Sequence, residues 1–331
     1  MSLSSQIVGW GTAVPEGRVT NADLAARVDT NDAWIVERTG IHERRVAGEG
    51  ESTATLGVAA AAEAIKRARL TPADIDLMIV ATATPEQPIP HTGAFIGDAL
   101  GLQCGSFDLN AACAGFVYEL VVGASLVATG CEHVLLVGAE TLTRLVDPDD
   151  RTTVVLFGDG AGAAVLAPSR ADEPGVLAWD LGCDGSAAGI LEVPAGGSRL
   201  PTSAATVADR GHYLKMSGQE VFRRAVRAVV DSATKTLARA GMTGDAVQWF
   251  VPHQANGRII ESAAQRLGFE PARTLVNIDR YGNTSSASIP LALFEAVDAG
   301  RVRPGDLILC SGFGAGMTWA SVLLRWAGSH A

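Results

Sequence analysis

The sequence has few aromatic residues and no apolar run long enough to cross a bilayer. Phe, Trp and Tyr make up 5% of its 331 residues, whereas hydrophobic residues as a whole make up 47%. A core of this composition must be aliphatic and rich in alanine, which suits helices packed closely against sheets. The first ten residues hold neither a basic side chain nor a long apolar stretch. We therefore expect no signal peptide and a soluble, cytoplasmic protein.

Cysteine is scarce, and its spacing argues against two common kinds of site. The five cysteines include no C-x-x-C pair; they are Cys104, Cys113, Cys131, Cys183 and Cys310. Their odd number speaks against a disulfide framework, and the lack of paired Cys or His ligands speaks against a zinc site. We therefore expect free thiols in a reducing compartment and no metal.

Positive charge is also in short supply. The 26 Lys and Arg residues are outnumbered by 36 Asp and Glu residues, which gives a formal net charge of -10. This balance argues against general affinity for nucleic acid, but a local basic patch can still attract an acidic partner.

What the sequence does contain is a regular alternation of strand and helix patterns. Leu77–Ala81 is a continuous apolar run, typical of a strand buried on both faces of a parallel sheet. The alanine-rich segment before it predicts a helix from about Ser52 to Arg69, ended by Thr71-Pro72. Such alternation predicts an α/β fold.

The second half of the sequence repeats the first. Five features recur in the same order, each consisting of a turn, a helix end or a strand. The matched pairs are Leu70–Asp74 with Met242–Asp245, Leu100–Leu102 with Leu267–Phe269, Ala128–Gly130 with Asp298–Gly300, Val134–Gly138 with Leu307–Ser311, and Gly158–Gly162 with Gly312–Gly316. We infer two copies of one α/β unit related by a pseudo-twofold axis, residues 1–170 and 171–331, joined near Pro168 to Pro174.

Cys113 stands in the most distinctive stretch, Asp108–Phe116. Small residues surround it, and a long apolar run to Ala128 follows, which predicts a buried helix with Cys113 at its first turn. Backbone amides and the positive dipole end of a helix start favour a thiolate, the form that attacks acyl carbons. The alternative is a buried cysteine that acts only as a small hydrophobe.

Two polar residues of the second copy fall at matching places. His253 follows the strand ending at Pro252, and Asn283 comes just before a helix. Parallel sheets place active sites at the carboxyl ends of their strands, so both are candidates to meet Cys113. Taken singly, the histidine could be a satisfied core residue and the asparagine an N-cap.

These motifs together closely resemble the β-ketoacyl-acyl carrier protein synthase III family. The resemblance runs in order from about Ile7 to Trp326. It is carried by Asp-Leu-Asn-Ala-Ala-Cys113-Ala-Gly-Phe, Val-Pro-His253-Gln-Ala-Asn256, Gly-Asn283-Thr-Ser, Trp34-Ile-Val-Glu-Arg38-Thr-Gly-Ile and Phe157-Gly-Asp-Gly-Ala-Gly.

The resemblance implies a thiolase-like fold with layered sheets and helices, a homodimer, and a decarboxylative Claisen condensation that begins a fatty-acid or polyketide chain. Cys113 would take an acyl group from acyl-CoA, with coenzyme A as part of a substrate and no permanently bound cofactor. His253 and Asn283 would stabilise the charge that develops when malonyl-acyl carrier protein loses carbon dioxide. The backbone amides of Cys113 and Ala315 would form the oxyanion hole for acyl transfer.

The resemblance also implies three sets of binding residues. Those for coenzyme A are Thr30, Trp34, Arg38, Arg151, Phe222 and Asn256. The acyl pocket would include Met317 and Ile89, the latter on a loop that reaches across the dimer. The arginines expected to dock the acidic carrier protein are Arg223, Arg258 and Arg266, although a plain solvated face is the alternative for each.

Three other functions compete with this interpretation. Gly158-x-Gly160-x-x-Ala163 resembles a dinucleotide-binding fingerprint after a predicted strand Val154–Phe157, but the next segment has a strand pattern rather than the required helix. A non-catalytic relative would not need Cys113, His253 and Asn283 together. A pathway-specific relative that primes a polyketide or transfers an acyl group remains open.

Overall fold

A computed structural model of the chain describes residues 5–169 and 175–328. The strands are β1 (Ser5–Ala13), β2 (Arg18–Thr20), β3 (Glu43–Arg45), β4 (Leu77–Ala81), β5 (Gly105–Leu109), β6 (Val134–Thr141), β7 (Asp159–Pro168), β8 (Val176–Cys183), β9 (Leu191–Glu192), β10 (Lys215–Met216), β11 (Trp249–Pro252), β12 (Leu307–Gly314) and β13 (Thr318–Arg325). The helices are α1 (Asn21–Ala25), α2 (Asp32–Thr39), α3 (Thr53–Arg67), α4 (Thr92–Leu100), α5 (Gly115–Ala128), α6 (Ala204–Ala208), α7 (Gly218–Arg239), α8 (Gly257–Leu267), α9 (Ile278–Tyr281) and α10 (Ser288–Asp298).

Two sheets repeat one topology. The first has the strand order β1-β7-β6-β4-β5 and the second the order β8-β13-β12-β11. β4 is parallel to β5 and β6, while β7 is antiparallel to its neighbours, and β11, β12 and β13 repeat this pattern. A parallel bridge from Phe250 to Thr274 occupies the place where β5 pairs with β4 in the first sheet. The predicted duplicated α/β fold is confirmed.

The boundary between the two copies stays a prediction. The junction was expected near Pro168 to Pro174, and residues 170–174 lie outside the part of the chain that the structure describes. β7 ends at Pro168, and β8 begins at Val176.

Two helices fill the space between the sheets. α5 and α10 are apolar around most of their circumference, and both pack in one core cluster with side chains of the two sheets. Side chains on the two faces of β4 pack in different core clusters. Ile79 packs in the cluster with α5, whereas Met78 and Val80 pack in the cluster with α3. α7 and α8 cover the outer face of the second sheet. The result is a layered α-β-α-β-α arrangement.

The helix predicted from about Ser52 to Arg69 is confirmed as α3, and hydrogen bonds between Ser52 and Thr55 define where it starts. The Ser52 hydroxyl accepts the backbone N–H of Thr55, and the Thr55 hydroxyl lies 2.7 Å from the Ser52 nitrogen.

Within residues 5–169 and 175–328, no helix is both long and apolar enough to span a membrane.

The strand predicted over Val154–Phe157 is wrong. Residues 151–156 form successive turns, and only Phe157 pairs with another segment, through a bridge to Asn283. The glycine-rich run that follows opens β7 rather than a helix. It therefore lacks the helix N-terminus on which a dinucleotide phosphate would bind.

Candidate active site

Cys113 lies on a 3-10 turn, Ala112–Ala114, between the end of β5 and the start of α5. The side chain of Asn110 accepts the backbone N–H of Ala112 (3.1 Å) and fixes the entry to this turn. From the other half of the molecule, Gly314 approaches so closely that a Cβ there would stand 2.5 Å from the Cys113 nitrogen. Glycine is required at this end of β12 because any side chain would displace the cysteine.

The Cys113 sulfur is in desolvated surroundings, although the residue as a whole is half-buried. Burial raises the pKa of the thiol to about 12; the Ser285 hydroxyl favours the thiolate slightly, and the negative charge of Glu140 opposes it. The expectation that the helix start favours a thiolate stays a prediction, and burial of the sulfur acts against it.

His253 follows the end of β11 and is 2% exposed. Its backbone N–H donates to the Ser311 carbonyl (2.8 Å), and its ring packs edge-on against Phe313. Nδ1 lies 2.6 Å from the hydroxyl of Ser288. Burial lowers the pKa of His253 to about 3, so the imidazole is neutral at physiological pH.

Asn283 is held by backbone contacts on both sides. Its N–H donates to the Leu156 carbonyl (2.8 Å), and its carbonyl accepts the N–H of Gly158 (3.0 Å). The side-chain oxygen Oδ1 accepts the N–H of Ser285 (2.9 Å). Because a backbone N–H requires an oxygen acceptor, this bond fixes the amide orientation and leaves the two Nδ2 protons for a ligand.

Cys113, His253 and Asn283 line one cavity of about 440 Å³. The three residues come from separate segments of the sequence, and the fold brings them together: Cys113 follows β5, His253 follows β11, and Asn283 lies between α9 and α10. The cavity offers one nucleophile and two neutral donors, the arrangement that acyl transfer through a thioester and an enolate requires.

Comparisons with known proteins agree with this chemistry. Residues 107–185 match the family described as 3-oxoacyl-[acyl-carrier-protein (ACP)] synthase III, and residues 237–326 match its C-terminal part. The β-ketoacyl-[acyl-carrier-protein] synthase III of Symbiobacterium thermophilum is 50% identical over 322 residues, which are 97% of each chain. The chain belongs to the β-ketoacyl-acyl carrier protein synthase III family.

Solved structures give the same result. The 3-oxoacyl-(acyl carrier protein) synthase III of Pseudomonas aeruginosa PAO1 is 40% identical with a TM-score of 0.92, over 99% of this chain and 100% of that one. The priming β-ketosynthase of the R1128 polyketide pathway is 39% identical with a TM-score of 0.91, over 98% and 96% of the two chains. This synthase III chain therefore has the predicted thiolase-like fold and is a condensing acyltransferase.

Most residues that the family resemblance assigns to coenzyme A lie at this cavity. Its walls include Trp34, Arg38, Phe222 and Asn256. The guanidinium groups of Arg38 and Arg151 lie 5.0 and 5.6 Å from the centre of the Trp34 ring.

Thr30 and Arg151 do not line the cavity itself. The Thr30 hydroxyl is buried and forms no hydrogen bond within the described residues. Arg151 donates to the carbonyl of Asp29 at the surface (2.8 Å).

Ile89, assigned to the acyl pocket, is 85% exposed in the single chain. Met317 is buried in the turn Ala315–Met317, which packs against the Cys113 turn, and it also lines a separate charged groove of about 610 Å³. Ala315, assigned to the oxyanion hole, has no positive φ, so alanine there is compatible with a backbone donor.

The arginines assigned to carrier-protein docking are exposed on two packed helices. Arg258 and Arg266 lie on α8, and neither forms an ion pair within the described residues; Arg258 also lines the cavity mouth. Arg223 lies on α7 and pairs with Glu220.

Four residues around the site were not singled out by the sequence. Phe313 packs on His253, Ser288 contacts its Nδ1, and Ser285 and Glu140 lie beside Cys113. For the serines, the available sequence signal was the run of hydroxyl residues after Asn283, because three serines are unusual at the start of a buried helix.

Proposed function

We propose that this protein starts acyl chains by condensing an acyl-CoA with malonyl-acyl carrier protein, using Cys113, His253 and Asn283. One observation carries the proposal: the three side chains share a cavity in which the histidine is neutral and the asparagine amide is oriented with N–H groups that have no partner in the described part of the chain. A neutral donor pair suits an enolate, because it stabilises negative charge without having to lose a proton.

The first half-reaction loads the enzyme. The Cys113 sulfur attacks the acyl carbon of acyl-CoA, the backbone N–H groups of Cys113 and Ala315 receive the developing oxyanion, and coenzyme A leaves. The Trp34 face and the guanidinium groups of Arg38 and Arg151 suit a flat base with phosphates. Phe222 and Asn256, which line the cavity, would contact the pantetheine arm, with Thr30 nearby as the family resemblance implies.

The second half-reaction forms the carbon-carbon bond. Malonyl-acyl carrier protein loses carbon dioxide, and the negative charge moves to its thioester oxygen, where His253 Nε2–H and Asn283 Nδ2–H donate to it. The resulting carbanion attacks the Cys113 thioester and releases the sulfur. Arg258 and Arg266 would hold the acidic carrier protein at the mouth of the cavity, with Arg223 on the neighbouring helix.

We also propose a homodimer built on the edge of the first sheet. Among the described residues, β5 has a strand partner on one side only, and the exposed apolar residues Ile89, Phe95 and Phe107 lie on or near this edge. Pairing of two β5 strands would cover these residues and carry Ile89 towards the partner's acyl pocket.

The five free thiols support a location in the reducing cytoplasm.

Intact-protein mass spectrometry after incubation with a panel of acyl-CoAs tests the proposal. We expect one acyl adduct on the Cys113 peptide, which malonyl-acyl carrier protein then discharges as a β-ketoacyl product. Absence of an adduct with every acyl-CoA would remove the first half-reaction. The preferred starter would distinguish fatty-acid initiation from the priming of a specialised pathway.

A further inference from the structure

Arg44 carries a positive charge into the interior of the molecule. The residue lies on β3 and is 1% exposed. Within the described residues it forms no ion pair, and its Nε–H has no hydrogen-bond partner. An arginine keeps its charge in proteins, and burial of a charge without a counter-ion costs free energy. Arginine at this place therefore needs a reason beyond core packing.

The guanidinium group donates to neutral oxygens of three segments. Nη1 donates to the carbonyl of Val19 on β2 (3.1 Å). Nη2 donates both to the side-chain Oδ1 of Asn21 (3.0 Å) and to the carbonyl of Val155 (2.8 Å). One nitrogen thus joins two segments that are far apart in the sequence, and each of them leads to a different wall of the cavity.

Asn21 connects Arg44 with α2. Its Nδ2 donates to the carboxylate of Asp32, the first residue of α2 (2.8 Å), and to the carbonyl of Ile41, just past the end of that helix (2.7 Å). Its Oδ1 accepts from Arg44, so the whole amide group is used. Asn21 therefore holds both ends of the helix that supplies the tryptophan and the arginine of the cavity wall.

Val155 connects Arg44 with Asn283. It directly precedes Leu156, whose carbonyl accepts the N–H of Asn283 (2.8 Å). Gly158, two residues further on, donates its N–H to the carbonyl of Asn283 (3.0 Å). The segment that Arg44 holds is therefore the one that fixes the backbone of the catalytic asparagine.

The stem of Arg44 packs against the same pairing. A Cβ on Gly158 would lie 3.2 Å from the Cβ of Arg44, and one on Gly282, the residue before Asn283, would lie 3.1 Å from it. Both separations are shorter than an ordinary contact between carbon atoms. Gly282 also has a φ of 65°, which favours glycine. The backbone that carries Asn283 thus rests directly on the arginine.

We propose that Arg44 is a positioning residue that sets Asn283 and α2 relative to each other. This inference rests on the proposed function, in which acyl-CoA lies along α2 and the enolate oxygen meets the Asn283 amide. The described residues that line the cavity do not include Arg44, so it acts through the two segments it holds. A misplacement of about 1 Å can cost roughly 10²-fold in rate, which makes the spacing between these segments important.

Arginine suits this role because its acceptors lie in different directions. The planar guanidinium presents its N–H groups in a rigid fork, and Nη1 and Nη2 reach β2, Asn21 and Val155 at once. Lysine would keep the charge but would concentrate its donors on one nitrogen. It could then satisfy one of the two segments only by releasing the other.

The test uses Arg44→Lys, with Arg18→Lys as the matched control. Arg18 lies on β2 in the same two-stranded sheet, with its side chain 57% exposed and paired with Glu43. We expect Arg44→Lys to slow decarboxylation of malonyl-acyl carrier protein by about 10²-fold and to raise the KM for acyl-CoA. Alkylation of Cys113 by iodoacetamide should keep the wild-type rate, because the contacts of Arg44 described above do not involve the cysteine turn. Arg18→Lys should match wild type in all three assays.

A double-mutant cycle separates positioning from general damage. If Arg44 acts through Asn283, Arg44→Lys adds no further loss of decarboxylation to that of Asn283→Ala. A merely structural weakening would multiply with the loss in Asn283→Ala, so multiplied losses would overturn the proposal. Wild-type decarboxylation in Arg44→Lys would overturn it too.

Hydrogen exchange tests the geometry without substrate. We expect Arg44→Lys to speed amide exchange in peptides covering residues 31–41, 155–158 and 278–288, but not in the peptide that contains Cys113. Unchanged exchange, or faster exchange throughout the chain, would contradict positioning.

Asn21→Ala cuts the link to α2 alone and serves where Arg44→Lys does not fold. We expect faster exchange in residues 31–41 and a higher KM for acyl-CoA, with residues 278–288 as in wild type; no change in α2 would overturn the proposal. A wild-type protein that neither acylates nor decarboxylates, but in which Arg44→Lys speeds exchange in the named segments, would overturn the proposed function and leave the positioning role standing.

Discussion

The hydroxyl of Ser288 lies 2.6 Å from Nδ1 of His253 and also accepts the backbone N–H of Gln254 at 3.3 Å. We infer that the hydroxyl donates its own proton to the imidazole, which makes Nδ1 the acceptor and leaves the ring proton on Nε2. A serine at the start of α10 thus sets the tautomer that His253 needs to donate to an enolate.

Ser288→Ala should therefore impair decarboxylation more than loading. Without the hydroxyl, the neutral ring can place its proton on Nδ1 and lose the donor at Nε2. We expect malonyl-carrier protein decarboxylation to fall by about 10²-fold, the loss typical of one missing oxyanion donor. Acylation of Cys113 by acyl-CoA should change little. Ser232→Ala, at a fully buried serine of α7, is the control; an equal loss of both half-reactions in Ser288→Ala would contradict the assignment.

Asn283→Asp should separate the same two steps by charge. The Ser285 N–H would still hold one side-chain oxygen, so the other would place negative charge where the Nδ2 protons now lie. That charge would repel the enolate, and we expect decarboxylation to fall by at least about 10²-fold. Single-turnover acylation and carbon dioxide release, measured on one preparation, check this. Parallel losses in both would mean that Asn283 only supports the Cys113 turn.

The sequence could predict the strand and helix order and three side chains of the site, because each of these lies in a local pattern. It could not rank the serines after Asn283. Ser285, Ser286 and Ser288 look alike in sequence, and only the fold directs them to Cys113, Glu140 and His253, respectively. The effect of burial on the pKa of Cys113 could not be predicted for a related reason: the dipole of a helix start is a local property, whereas desolvation depends on everything packed around the sulfur.

Arg266→Glu should weaken the use of the carrier protein but not the use of acyl-CoA. Arg266 is exposed on α8 without an ion pair in the described part of the chain, so its charge is available to an acidic partner. We expect a higher KM for malonyl-carrier protein, a smaller salt dependence and an unchanged rate of Cys113 acylation. Arg303→Glu, equally exposed but before β12 at the opposite end of the sheet, is the matched control. Equal effects of the two changes would point to net charge rather than docking.

Ile89→Trp should change the choice of starter if Ile89 lines the partner's acyl pocket. The side chain is 85% exposed in the single chain, so a larger one meets no obstacle there. In the proposed dimer it would fill the acyl pocket, and we expect the rates of acylation to shift from longer or branched starters towards acetyl. Phe95→Trp, on the same exposed face, should not alter the order of starters. An unchanged order in Ile89→Trp, in a preparation shown to be dimeric by sedimentation, would contradict the role of Ile89.

Glu119→Gln should flatten the pH dependence of stability. Burial raises the pKa of Glu119 in the folded state, so the folded chain keeps a proton that the unfolded chain loses above its ordinary pKa of 4.5. The folded state then binds more protons, and the unfolding free energy falls as the pH rises through this window, by at most about 1.4 kcal/mol per pH unit for one group. Gln carries no titrating proton and removes this contribution. Urea unfolding at pH 5, 6, 7 and 8 should therefore show a shallower decline in the variant than in wild type, and matching slopes would mean that Glu119 is ionised in the fold.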